Sequence, residues 1–425
     1  MPKLSDYYTS RKPSDNRMAQ MEFVKRTDNV KAINVSVWNV SLPMHPKMQE
    51  RMFNLKSENS PFKNWEVKYT QTVWLKETQD AFKNILSANW YDTSKLNIQI
   101  TDWGSLAMEL VVLWLADPNS NPIMLIDAVY TNYLMLAKRT CRKTISIQRK
   151  LSDDWIFSFP SESEIEEFIQ KNNPTSIIII PYDNPTWQLY DRETLIMIAK
   201  LCVKYDLRLV SDEAYRELHY KWDKAVSVWS ITNNEVPGIQ WRRISIESAS
   251  KVRNACGLRI GALITDNLEF HEKSVAEQTA TLCAGTINQY IFWAIAHETP
   301  ESLQKRYQEQ RNYYGTMIKR VESDFKKLLP WIIVASPDAA IYTVVDVRKI
   351  VKLWFNGKDF ALFCAKEWNV DWYTVLISPL SWFYQTTDFN PGITQFRIAF
   401  VENPETMQKV PYLFAKLLEN YENNR

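Results

Sequence analysis

Glycine is the residue this sequence most lacks: 8 of 425 positions, where an average composition of ~7% would supply about 30. Cysteine is also sparse. Five thiols, at positions 141, 202, 256, 283 and 364, are an odd, scattered set without a CxxC pair, which argues against a disulfide framework or a zinc ribbon. Four histidines, at 45, 219, 271 and 297, include no HExxH, so a metal centre and a Ser-His-Asp hydrolase are both disfavoured. Charge of one sign is missing too. Lys+Arg 51 against Asp+Glu 49 leaves a net +2 and no electrostatic footprint for nucleic acid or an anionic membrane. The longest aliphatic stretches, Leu110–Ala116 and Ile177–Ile180, fall far short of the ~20 residues that span a bilayer. The first thirty residues carry scattered charges and no apolar h-region, so no secretory signal is expected and the protein reads as cytoplasmic. What stands in excess is tryptophan, with 17 residues, two for every glycine.

With 45% hydrophobic and 24% charged residues, the chain has the make-up of an ordinary globular protein. Its middle alternates short β-rich runs with helical patterns. Strands are expected at Ile123–Asp127, Ser176–Pro181, Leu207–Ser211, Arg243–Glu247 and Ile260–Thr265. Helices are expected at Ser105–Leu115, Ser163–Lys171 and Glu193–Tyr205, the last capped by Asp191. Such alternation argues an α/β fold with a mostly parallel sheet covered on both faces. Ser302–Leu329 reads as a long charged helix. After it, Trp331–Val347 and Val375–Phe400 read as strands of a smaller α+β lobe, closed by a helix over Glu405–Tyr421.

In open α/β sheets, ligands bind beyond the carboxyl ends of strands, so chemistry is sought there. Four strand ends carry it. Ile177–Ile180 leads into Pro181-Tyr182-Asp183-Asn184-Pro185-Thr186, and Leu207–Val210 into Ser211-Asp212-Glu213-Ala214-Tyr215. Ser245-Ile246-Glu247 leads into Ser248-Ala249-Ser250-Lys251, with Arg259 eight residues after the lysine. Near the C-terminus stands Gln395-Phe396-Arg397-Ile398-Ala399-Phe400. In this order and spacing the four segments resemble the class I/II aminotransferases, fold-type I pyridoxal-phosphate enzymes, over about Asn34 to Arg397. Any one tetrapeptide would be weak; four in order, each at a strand end, are specific.

The resemblance implies a mostly parallel seven-stranded central sheet flanked by helices. It also implies an N-terminal arm with part of the small domain (1–60), a large cofactor-binding domain (61–300), and a connecting helix with a small C-terminal domain (301–425). Its cofactor would be pyridoxal 5′-phosphate, with no metal. Lys251 matches the lysine that holds the cofactor aldehyde as a Schiff base and then shuttles a proton. A lone lysine is usually a solvated surface charge; the Ser-x-Ser-Lys context reverses that expectation. Asp212 matches the carboxylate on the pyridinium nitrogen, against a plain helix N-cap. Asn184 and Tyr215 match the pair that bonds the cofactor's phenolic oxygen, although Asn-Pro alone would read as a turn and a tyrosine as core.

Trp103-Gly104-Ser105, opening the first expected helix, resembles the phosphate loop, where backbone N–H groups of a helix N-terminus receive an anion. Ser248, Ser250 and Arg259 match the remaining phosphate ligands. Tyr69 resembles the tyrosine that reaches the phosphate of a neighbouring subunit. Tyr130 resembles the aromatic stacked on the pyridine ring, with Tyr133 a nearby competitor. Arg397 matches the arginine that grips the substrate carboxylate through a bidentate fork, and Trp38 falls in a substrate-side segment. The implied activity is ping-pong transfer of an amino group between an L-amino acid and a 2-oxo acid by a homodimer in amino-acid metabolism. The alternatives are another reaction on the same scaffold, a β-lyase or cofactor-dependent oxidase, and a degenerate binding protein without turnover.

The same resemblance locates the missing glycines. Trp103 and Trp187, the latter following Asn184-Pro185-Thr186, stand where the family commonly has glycine. Trp38, Trp74 and Trp382 fall on or near other such places. Trp90 and Trp368 sit beside Asn, and Trp155 follows Asp153-Asp154, as in Asn-Gly and Asp-Gly turns. A non-glycine residue in left-handed geometry costs ~1–2 kcal/mol. We expect many of these tryptophans to be glycine in the living protein, the outcome for a bacterial lineage that reads UGA as glycine. Together the glycines and tryptophans come close to the usual glycine share.

Overall fold

A computed structural model describes residues 2–11, 15–37, 39–70, 73–221, 225–335, 338–385 and 389–424. The chain divides into two compact units, one of residues 39–316 and 336–342, the other of 1–38, 317–335 and 343–425.

The larger unit is built on seven strands: β1 (Asn97–Thr101), β2 (Ile123–Asp127), β3 (Thr144–Gln148), β4 (Ser176–Ile179), β5 (Arg208–Asp212), β6 (Arg243–Ser248) and β7 (Gly261–Thr265). Their spatial order is β1-β7-β6-β5-β4-β2-β3. Strands β2 to β6 pair in parallel, while β7 is antiparallel to both β1 and β6. Parallel neighbours need long crossovers, which helices supply. These include α1 (Gly104–Leu115), α2 (Glu162–Asn172) and α3 (Arg192–Lys204). Asp191 caps α3 as expected, accepting the Thr194 N–H at 2.7 Å.

Alternate residues of each strand point to opposite faces, and both faces are covered. Ile177, Ile179, Leu209 and Ile264 belong to one buried cluster, Ile178, Val210, Ile244 and Leu263 to another. That two-sided burial explains the unbroken aliphatic runs. The strands missed in the sequence, β1 and β3, are the two edges. Asn-Ile-Gln-Ile-Thr and Thr-Ile-Ser-Ile-Gln alternate polar with apolar residues, so neither shows as a continuous aliphatic run.

The smaller unit has a parallel pair, Lys31–Asn34 with Tyr373–Leu376. It also has a four-stranded sheet in the order Ser378–Pro379, Gln395–Ala399, Tyr342–Asp346, Ile333–Val334. The broad expected strands are thus cut short: 3-10 turns at Leu380–Phe383 and Pro391–Thr394 interrupt the second. Helices Gly357–Lys366 and Pro404–Asn423 cover this sheet through an aromatic core in which Phe360, Phe396, Phe414 and Tyr421 make edge contacts. Among the described residues, no helix is long and apolar enough to cross a membrane.

Candidate active site

Strand register assembles the site. Ile179 of β4 lies opposite Ser211 of β5, and Ser211 lies opposite Ser245 of β6. The loops after β4, β5 and β6 therefore leave the sheet side by side, at the carboxyl ends where such folds bind ligands. Asp212 is the last residue of β5. Lys251 follows β6 and is 7% exposed. Asn184, in the loop after β4, is buried, and Tyr130 stands half-buried at the start of the helix after β2. Tyr215 is buried, its hydroxyl bonded to the Tyr342 hydroxyl.

Asp212 has an environment that the sequence did not reveal. Tyr133 Oη donates to its Oδ2 at 2.6 Å, and the Ala214 N–H donates to Oδ1 at 3.1 Å. Burial pushes the carboxyl above its ordinary range, while these two donors pull it back. Burial, with Asp212 beside it, holds the Tyr133 phenol well above its own range, so it stays a proton donor. Among the described residues no cation pairs with Asp212. A carboxylate desolvated without a counter-ion suits a ligand that brings a cationic N–H. Tyr130 and Tyr133 meet edge to face at 5.6 Å, which gives them different tasks: Tyr133 is bonded to Asp212, leaving Tyr130 as the stacking candidate.

Tyr133→Phe removes a hydrogen bond to a charged group, worth ~1.5–3 kcal/mol. The Asp212 carboxyl then rises further. The acid limb of the kcat–pH profile is expected to move to higher pH, with kcat at neutral pH down roughly tenfold or more. An unmoved acid limb would show that Tyr133 only packs.

At the other end of the site, register again decides the geometry. Gly261 of β7 lies opposite both Thr101 of β1 and Ser248 of β6. The loop leaving β1 toward α1 is thereby set against the Ser248–Lys251 segment. A Cβ on Gly261 would stand 2.5 Å from the Gly104 backbone nitrogen, so glycine is required there. Ser248 Oγ donates to Ser250 Oγ at 2.7 Å and accepts the Ser250 N–H at 3.0 Å. Ser105 and the first N–H groups of α1 are available to an anion as at any helix start. Two features of this end do not match an open cup. Trp103 is the N-cap of α1, and the Arg259 guanidinium lies over its indole, 5.1 Å from the ring centroid. Arg259 Nη1 also donates to the Cys256 carbonyl at 2.8 Å.

Arg149 is a further residue that the sequence reading missed. Fully buried just after β3, it donates to Asp183 Oδ2 at 3.0 Å and to the Ala128 carbonyl at 2.6 Å. Asp183 in turn accepts the Thr186 N–H at 2.9 Å. One guanidinium thus ties the turn that carries Tyr130 to the loop that carries Asn184. A charged residue closing an otherwise half-apolar strand was the available signal.

Arg397 lies in the smaller unit on Gln395–Ala399, fully buried, donating to the Ser36 carbonyl at 2.6 Å with its guanidinium 5.1 Å from the Phe383 ring centroid. Tyr69 is 77% exposed. Trp38 lies outside the described residues.

A sequence model of the family "Aminotransferase class I and II" matches residues 76–408. Kynurenine–oxoglutarate transaminase 3 of Homo sapiens is 27% identical over 211 residues, 48% of this chain and 43% of that protein. The match therefore spans under half the length of that relative. The aspartate aminotransferase of Thermotoga maritima is 23% identical over 67% of this chain and 70% of its own. Among solved structures, N-succinyldiaminopimelate aminotransferase from Mycobacterium tuberculosis superposes with a TM-score of 0.81 at 16% identity, covering 98% of this chain and 100% of that one. Aspartate aminotransferase from Thermus thermophilus with maleate does so at 0.80 and 17%, with the same coverage. These structures share the fold, and the family match spans most of the chain. By that match and by its architecture, the chain belongs to the class I and II aminotransferase family.

Proposed function

We propose that this protein is a pyridoxal 5′-phosphate-dependent aminotransferase that moves an amino group between an L-amino acid and a 2-oxo acid. The observation that carries the reading is the pair of polar groups at neighbouring strand ends: Asp212, desolvated without a counter-ion, and the buried amine of Lys251. When bound, the cofactor supplies an aldehyde for an amine to attack and a protonated ring that accepts the electron pair released at the substrate α-carbon.

The chain's own residues do the rest. Lys251 holds the cofactor and moves the proton at the α-carbon through its Nζ. Asp212, its carboxylate form favoured by the Tyr133 and Ala214 donors, holds a proton on the ring nitrogen. Asn184 and Tyr215 hydrogen-bond the ring hydroxyl, and Tyr130 covers one ring face. Gly104, Ser105, Ser248, Ser250 and Arg259 receive the phosphate. Tyr69, exposed within one chain, reaches the phosphate of a partner in a homodimer. Arg397 holds the substrate carboxylate, and the segment around Trp38 borders it. The five free thiols fit work in the reducing cytoplasm.

Purified protein given pyridoxal 5′-phosphate, a panel of amino acids and a 2-oxo acid is expected to form a new amino acid only when the 2-oxo acid is present. Release of ammonia or peroxide instead would assign the site to elimination or oxidation, and no turnover would assign it to binding alone. Arg397→Lys keeps the charge but loses the fork. The KM for the amino acid is expected to rise roughly tenfold to a hundredfold, with a smaller effect on kcat. An unchanged KM would place the carboxylate elsewhere.

A further inference from the structure

Backbone geometry sorts the tryptophans into two groups. Of the 17, Trp38 and Trp222 lie outside the described residues. Eight of the remaining fifteen (65, 90, 103, 155, 187, 241, 331 and 372) have φ between 60° and 127°. Only nine other non-glycine residues among those described have a positive φ at all. Tryptophan is bulky and has no polar side-chain group able to support a left-handed turn, so by chance it would be among the last residues found there.

Exposure sorts most of them the same way, Trp354, with ordinary φ and 42% exposed, being an exception. Seven of the eight are exposed, from 39% to 79%, although indole is a large apolar group. The eighth, Trp187, is fully buried and its Nε1 has no hydrogen-bond partner among the described residues. Two tryptophans with ordinary φ show what a placed indole does. Trp229 donates from Nε1 to Ser245 Oγ at 2.8 Å, and Trp114 stacks on Phe270 at 4.1 Å.

Two local structures say which residue belongs at such positions. Val370 and Tyr373 exchange both backbone hydrogen bonds across Asp371-Trp372, whose φ values are 50° and 65°. That is a two-residue hairpin turn with φ > 0 at both central positions, the setting that selects Asp-Gly. Trp103, with φ 127° and ψ 160°, sits in a region that is essentially glycine-only.

We propose that these eight positions, and position 103 above all, are glycine in the protein its own cells make, spelled UGA and read as glycine, whereas Trp114 and Trp229 are spelled UGG. At position 103 the assignment deepens the aminotransferase reading and rests on it. With glycine there, the indole no longer lies beneath the Arg259 guanidinium, and the backbone opening α1 is bare for a phosphate.

Tandem mass spectrometry of the protein purified from its source cells tests this directly. Peptides are expected to show glycine at 103 and 187 and tryptophan at 114 and 229; tryptophan at 103 and 187, with UGG codons in the gene, overturns the proposal. A recombinant chain carrying all eight Trp→Gly changes is expected to melt higher than the chain as written, by on the order of 10 °C, while Trp229→Gly melts lower. No gain in the eightfold variant also overturns it. Trp103→Gly is expected to tighten pyridoxal 5′-phosphate by roughly tenfold or more, with pyridoxal, which lacks the phosphate, unchanged. A cofactor that binds equally well to both forms removes the phosphate-loop part. If the eightfold variant melts higher and the peptides carry glycine, yet no variant binds the cofactor, the glycine assignment stands and the aminotransferase reading falls.

Discussion

Lys251→Ala is expected to abolish turnover, by a factor of ~10⁴ or more, and to leave pyridoxal 5′-phosphate bound without a covalent link. Both the attachment point and the proton shuttle are lost at once, and general acid–base catalysis alone supplies ~10²–10⁴-fold. The visible absorption of the attached cofactor disappears, and borohydride no longer fixes it to the protein. Retained colour that borohydride fixes to the chain would show that another lysine carries the cofactor.

Asp212→Asn is the second large effect. The amide keeps the shape, but its one oxygen can accept from Tyr133 or from the Ala214 N–H and not from both, and it has no charge to hold a proton on the ring nitrogen. Turnover is expected to fall by roughly a thousandfold, and cofactor affinity by the roughly ten- to hundredfold that a charge-assisted bond of ~1.5–3 kcal/mol provides. Asp212→Ala should do the same and weaken binding further. Near-normal turnover in either would remove Asp212 from the chemistry.

Stability should move the other way. The folded-state carboxyl is raised by burial, so the folded protein binds this proton more tightly than the unfolded chain. Its contribution therefore declines as pH rises from the ordinary carboxylate range through the raised value. The cofactor-free Asn variant is expected to melt at or above the parent at neutral pH, and the difference should vanish in acid. A lower melting point at neutral pH would mean that the carboxylate contributes structure instead of awaiting a cation.

Much of the site was legible because the chemistry is concentrated at strand ends. Asp212, Lys251 and Asn184 follow aliphatic runs that the fold buries on both faces, and sheet register brings their loops together. Tyr133 and Arg149 were not legible in the same way. Tyr133 sits one helical turn from Tyr130, so both read as stacking candidates, and only the contact with Asp212 separates them. Arg149 acts through carbonyls of a turn after β2 and a carboxylate after β4, partners far from it in sequence. The edge strands β1 and β3 escaped for the reason already apparent in their alternation.

The glycine deficit shows the same division. Composition alone established that something was missing, and motif spacing pointed correctly to left-handed backbone at positions 90, 103, 155 and 187. Trp74, Trp368 and Trp382, singled out with them, have no positive φ. Motif spacing also overlooked positions 65, 241, 331 and 372.

By itself, then, the sequence determined the α/β class and a set of candidate residues at strand ends, because burial periodicity and side-chain chemistry are local properties of the chain. Only the tertiary structure decided which tyrosine serves Asp212, which arginine clamps the loops, and which tryptophans stand where glycine belongs. Those depend on through-space contacts and on the sign of φ, which the folded path of the backbone sets and no single residue carries.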